Sequence, residues 1–317
     1  LPNAATLAAE FVPRATRPLA VTVTIVCVPL GGMLAGILGS QLQSTVGWRG
    51  LFIAGGVVPL IAAAALSGLL PESPRFLARH PARWPELRQF LAKLGRQVPS
   101  NAAFDDVTDR WAGRAPLSSL FAADLPRDTI ALWVSFTSCL LAVYLGFSWL
   151  PTLLAGAGFG PEVASRGITA FNLGGVVGAL ASGAVMSLIG SRIAMLTMAV
   201  GAVSGAITLS RMTISVGAPI APVMIMLTIT GGLINAIQTT MYALATNVYP
   251  SAARATGIGT ATAVGRLGAM ASGYAGPWAL AWHGSASYFG LIAAAMIVCF
   301  VALASVRRHV PRAERRA

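Results

Sequence analysis

The chain has 317 residues, 56% of them hydrophobic and 10% charged, with a mean hydropathy of +0.73 and a formal net charge of +12. A soluble domain carries about 25% charged residues, so a water-soluble enzyme or regulator is excluded and an all-α polytopic membrane protein is expected. Cys27, Cys139 and Cys299 stand far apart inside apolar runs and read as small packing residues, not disulfides or metal ligands.

In chain order, residues 1–9 read as the last turns of a helix. The chain opens on Leu1 without a Met or a charged leader, and an N-terminal truncation is expected. A polar turn with Glu10, Pro13, Arg14 and Arg17 follows. Apolar spans are then expected at about 19–42 and 50–70, long enough to cross a bilayer core. Pro71 ends the second, and residues 71–128 hold most of the charge. There, Leu87, Phe90, Leu91 and Leu94 recur at i, i+3, i+4 and i+7, the pattern of an amphipathic surface helix. Six more spans are expected, at about 129–155, 162–189, 193–211, 219–247, 252–280 and 286–306, followed by an arginine-rich tail at 307–317. The expected division is therefore 1–70, a cytoplasmic loop 71–128, a six-helix half 129–306, and the tail.

Alternating the loops places 18 of the 22 Lys and Arg on the side of the long loop and the tail, and 3 on the other. That bias marks the first side as cytoplasmic. It also accounts for the +12 as a membrane-orientation signal, so no nucleic-acid partner is expected.

The remaining cation is Arg266, in the middle of the apolar stretch 249–277. An arginine at a membrane helix centre costs about 2.5–3.5 kcal/mol on insertion scales, so something must compensate it. None of the ten Asp and Glu falls mid-span. That pattern favours an anionic ligand such as a carboxylate, held in a cavity of low dielectric. The alternative is pairing with an acid or carbonyls outside this sequence. Shifting the sequence by 237 residues aligns Pro13, Arg17, Gly31, Gly36 and Gly39 with Pro250, Arg254, Gly268, Gly273 and Gly276. Two copies of one helical unit on either side of a long loop are the mark of a two-halved transporter. At the position of Arg266 the first copy has Pro29.

These segments carry a family resemblance. LPNAATLAAEFVPRATR, GWRGLFIAGGVVPL with LPESPRFL, YLGFSWLPTLLAGAGF, FNLGGVVGAL and GRLGA are similar to helices of the major facilitator superfamily. Within it, they resemble the aromatic acid:proton symporters, the 4-hydroxybenzoate and benzoate transporters. The resemblance implies an incomplete major facilitator fold, with the end of helix 4 and helices 5–12. It implies proton-coupled uptake of an aromatic carboxylate across a bacterial inner membrane by alternating access, with no enzyme activity and no cofactor.

In that frame Arg266 is the candidate carboxylate site, and Gln238, Asn172, Tyr144 and Trp149 are candidate cavity residues. Gln238 and Asn172, like Asn235, equally suit helix–helix contacts; an interface belt is the alternative for Tyr144 and Trp149, equally so for Trp149. Glu10, Arg17, Glu72, Arg75, Arg254 and Arg192 lie at helix ends and are expected to form a gating charge network; solvated loop charge is the alternative. Two departures stand out. The family's D-G-x-D motif has no counterpart here, so the acid that would couple protons cannot be assigned. Ser187 and Leu188 stand where the family's loop between helices 8 and 9 carries an acid and a base. Transport of another organic anion or a polyol, and a non-transporting remnant, are the rival readings.

Overall fold

The computed structural model describes residues 17–93, 116–122, 124–250 and 253–311, together with 4, 7, 8, 10–12, 95, 96, 98, 99 and 102–104; of residues 17–19, 43, 44, 69 and 75 only the backbone is described. Among the described residues the regular structure is helical throughout. That follows from the solvent: a backbone crossing hydrocarbon must satisfy its own hydrogen bonds, and a helix does so within one segment.

The long elements are α1 (Arg17–Leu69), α4 (Leu125–Ser148), α6 (Pro161–Ile189), α7 (Ser191–Arg211), α8 (Ala221–Val248), α9 (Arg254–His283) and α10 (Ser285–Ser305). The short ones are α2 (Pro74–Arg79), α3 (Trp84–Lys93) and α5 (Leu150–Gly156). Helix α1 is two spans joined at Gly47, whose φ of 64° and ψ of −178° break the helix at a conformation only glycine adopts freely. Among the described residues, seven spans have the length and hydropathy to cross a membrane, including Ala20–Leu42 and Thr45–Gly68 from the two legs of α1. The eighth expected span forms as the 30-residue helix α9 but is not one of the seven. Its glycines, threonines and two arginines lower its hydropathy.

The chain divides into two compact units, one of Leu1–Ile25 with Phe52–Arg114, the other of Val26–Leu51 with Ala115–Ala317. In the first unit, α2 begins at Ser73, whose hydroxyl accepts the Phe76 N–H at 3.3 Å and donates to the Glu10 carboxylate. The amphipathic helix is present as α3, with Leu87 buried. Arg83 grips Glu86 through two nitrogens at 2.9 and 2.7 Å, which holds the Glu86 carboxyl below its ordinary range.

The second unit is a bundle whose principal contacts are α6 with α8, α4 with α9, and α10 with both α7 and α4. Missing side chains permit the closest crossings. A Cβ on Gly174 would strike the Thr228 carbonyl, one on Gly178 the Gly232 carbonyl, and one on Gly268 the Thr137 carbonyl. Without a hydrophobic force between helices in lipid, such close contact is what associates them. The core holds Cys139 and Cys299, both buried and unbonded, whereas Cys27 is exposed.

Prolines and glycines set the helix boundaries. Pro126, Pro161 and Pro222 sit in the first turns of α4, α6 and α8, where the absent N–H costs nothing. Pro151 follows the break at Trp149 between α4 and α5. Gly190, at φ 83°, turns the chain from α6 into α7.

Beyond α10 the chain does not drift away but is strapped back across the helix ends. The Arg307 N–H donates to Asp128 Oδ1 at 2.8 Å. The Ser191 N–H donates to the Val310 carbonyl at 3.0 Å, and the Val310 N–H donates to Ser191 Oγ at 2.8 Å. Ser191 Oγ also lies 3.1 Å from His309 Nδ1, and Asn247 Nδ2 donates to the Arg308 carbonyl at 3.3 Å. Residues 307–310 thus tie α10 to the ends of α4, α7 and α8.

Candidate functional site

The candidate residues of the second unit come from α4, α6, α8 and α9. Helix α4 contributes Phe136, Tyr144 and Phe147, spaced so that they rise along it. Tyr144 is 38% exposed, and its ring centroid lies 6.5 Å from that of Phe147. Phe147 in turn meets Phe171 of α6 edge-on at 6.5 Å. Asn172, the next residue on α6, is fully buried. Its Nδ2 donates to the Ile168 carbonyl at 2.9 Å, while Oδ1 has no partner among the described residues. The first leg of α1 closes against this point: a Cβ on Gly32 would lie 2.6 Å from Phe147 and 2.8 Å from Asn172.

Helix α8 contributes Asn235, Gln238 and Tyr242. Asn235 is buried, with Nδ2 donating to the Gly231 carbonyl at 2.9 Å. Gln238 and Tyr242 are partly buried and one turn apart. Tyr242 packs edge-on to Phe136 at 5.3 Å and lies near Thr262 of α9. The Thr262 hydroxyl donates to the Ile258 carbonyl at 2.8 Å. Tyr242 also lies within electrostatic reach of both Arg266 and Tyr144. One turn beyond Thr262 on α9, Arg266 is exposed and forms no ion pair among the described residues.

Arg266, Tyr242, Tyr144, Phe147 and Asn172 therefore form a row across four helices. A guanidinium stands at one end, aromatic rings lie along it, and an unsatisfied amide oxygen is buried at the other. A guanidinium offers two parallel N–H donors to a carboxylate, and the rings offer faces and edges to an aromatic body. Trp149 takes another place: it is partly buried against Gly276 of α9, its indole N–H without an acceptor.

Tyr242, Thr262 and Phe147 are members that sequence reasoning missed. Tyr242 is four residues after Gln238, and Thr262 four before Arg266. A helical spacing rule applied outward from the candidates already chosen would have found both.

Of the expected charge network, only part falls among residues whose side chains are described. Glu10 is bonded by Ser73, and Glu72 lies 3.9 Å from Arg83. The side chains of Arg17 and Arg75 lie outside the described residues. Arg192 and Arg254 are exposed and form no ion pair among the described residues; Arg192 bears electrostatically on His309. Among the described residues no cluster of His, Cys, Asp and Glu is suited to a metal.

The sequence matches the sugar (and other) transporter family over residues 3–307. It is 34% identical over 275 residues to a gallate transporter of Pseudomonas putida, across 85% of this chain and 59% of that protein. It is 31% identical to a 4-hydroxybenzoate transporter of the same organism, across 87% and 61%, and 33% identical to a 3-(3-hydroxy-phenyl)propionate transporter of Escherichia coli, across 85% and 58%. A crystal structure of a D-xylose–proton symporter superposes with a TM-score of 0.63, covering 98% of this chain and 67% of that one at 15% identity. The chain belongs to the sugar (and other) transporter family of major facilitator proteins, and its fold is an incomplete form of theirs. It spans about three-fifths of the length of the curated relatives it matches. The resemblance to aromatic acid transporters read from the motifs is borne out by these relatives.

Proposed function

We propose that this chain is the greater part of a secondary transporter that carries an aromatic carboxylate, of the benzoate and 4-hydroxybenzoate kind, together with protons by alternating access. The observation that carries the reading is Arg266: a cation within helix α9, without an acidic partner among the described residues, within electrostatic reach of Tyr242. The names of the relatives, gallate, 4-hydroxybenzoate and hydroxyphenylpropionate transporters, support the same substrate class. In this reading Arg266 receives the carboxylate, while Tyr144, Tyr242 and Phe147 flank the ring. Gln238 and Asn172 supply polar contacts, and Trp149 supports α9 from the side of Gly276.

Glu10, Arg17, Glu72, Arg75, Arg254 and Arg192 are assigned to gating at the cytoplasmic side. The long loop and the tail lie in the cytoplasm, on the strength of the Lys and Arg distribution. The coupling acid is assigned to no residue of this chain.

The test is uptake of labelled 4-hydroxybenzoate by cells expressing the protein. Excess benzoate should compete and xylose should not. Arg266→Ala should abolish uptake with the protein still in the membrane, and Arg266→Lys should impair it, because a point charge loses the two-pronged geometry. Undiminished uptake in Arg266→Ala removes this residue from the mechanism, and competition by xylose overturns the substrate class.

A further inference from the structure

Between α4, α9 and α10 runs an open furrow that shares no side chain with the Arg266 row. Its recess comes from small residues, among them Gly268 and Ala271 of α9 and Ala294 and Ala295 of α10. Ile130, Val134 and Val298 line both this stretch and its continuation between α4 and α10. The continuation ends at Ser305 and Arg127. From Ile130 to Leu141 the furrow follows about 16 Å of helix, close to one leaflet of a bilayer core about 30 Å thick.

The charge lies at one end only. Arg127 is exposed and forms no ion pair among the described residues. Of the two acids near it in sequence, Asp128 is 1% exposed, with Oδ1 occupied by the Arg307 N–H, and Asp124 is exposed. Arg307 and Arg308, both exposed, lie two and three residues after Ser305. A third groove, between Thr152, Leu280 and Ser285, has no charged side chain in its lining.

We infer that this furrow is a binding site for one anionic diacyl phospholipid, its acyl chain in the recess beside Gly268 and Ala294 and its phosphate at Arg127. A ligand that is apolar for the depth of a leaflet and negative at its end matches both parts. A zwitterionic lipid matches only the first, and a free phosphate only the second. Trp133 lines the same furrow, and its indole N–H has no acceptor among the described residues.

The purified, delipidated protein, titrated with phosphatidylglycerol and followed by native mass spectrometry and thermal unfolding, tests this. Phosphatidylglycerol should bind and raise the melting temperature more than phosphatidylcholine of the same chains. Arg127→Gln, an exposed substitution that leaves the fold intact, should weaken phosphatidylglycerol binding about fivefold, the effect of one basic residue at a membrane surface. Val298→Trp, which fills the recess, should lower retention of this lipid with the charge unchanged. Equal binding of the two lipids, an unaffected Arg127→Gln protein, or glycerol phosphate matching the whole lipid would each overturn the assignment.

Discussion

Arg266 was legible in the sequence because its cost is large: a charge in an apolar run has few explanations, and each is functional or a matter of pairing. Tyr242 was not, since a tyrosine in a membrane helix raises no alarm until its neighbours are known. A tyrosine hydroxyl both donates and accepts, so it can bond a hydroxyl on the ring of a bound acid. Tyr242→Phe should therefore leave the protein folded and still bind unsubstituted benzoate, while discriminating less among ring-hydroxylated acids. Competition binding with benzoate and its hydroxylated analogues checks this.

Asp128 was also overlooked, because an acid at a helix start reads as solvated charge. In the structure it is buried and caps the strap, with Oδ2 unpartnered in the chain. Asp128→Ala leaves the Arg307 N–H without an acceptor and should cost about 1–3 kcal/mol. Asp128→Asn keeps an accepting oxygen and should cost less, as read by thermal melting in detergent.

His309 belongs to the same strap, and its pKa is lowered from 6.5 by burial first and then by the charge of Arg192. The folded strap thus prefers neutral imidazole. Its contribution is complete above the ordinary histidine value and is lost as the pH falls through the lowered one. The stability advantage of the wild type over His309→Gln should shrink between pH 7.5 and about 5. Melting curves at both pH values decide it, and a constant difference would exclude the histidine.

At the scale of elements, almost every helix could be located from apolar length and punctuation. Proline in first turns and glycine at the turn before α7 are local effects, and local effects are written locally. The packing partners were not legible, because a glycine-rich face looks alike whatever it meets. The repeated unit makes this plain. In the first copy Gly36 packs against Thr169 and Ser165, whereas its counterpart Gly273 meets nothing within 4 Å. In the second copy Gly268 packs against Thr137, whereas its counterpart Gly31 meets nothing. The copies share a sequence pattern, yet at these two positions each makes a close contact that the other lacks. Gly268→Leu should consequently unfold the α4–α9 contact, at a cost above the 1–3 kcal/mol of ordinary overpacking, since a backbone carbonyl is in the way. Gly273→Leu should be tolerated. Comparing the two melting temperatures separates the faces.

For the whole molecule, composition alone placed the chain in a membrane, and the seven apolar spans and the family match agree. The division into units follows contacts, not loops: the first leg of α1 from Val26 onward is grouped with the six-helix half, although it precedes the long loop in sequence. Contacts between segments so far apart leave no periodicity to read. The same holds for the site, where the rows on α4, α8 and α9 become one row only when the helices are packed.

The strap has a practical side. Residues 307–310 hold four helix ends through five hydrogen bonds, so they belong to the folded body even though their sequence reads as a basic tail. A purification tag or fluorescent reporter fused in place of these residues would remove the acceptors of Ser191 and Asn247 along with them. One fused after Pro311 leaves every bond in place. A chain cut after Val306, the natural choice from hydropathy, should melt at a lower temperature than one that runs on to Pro311.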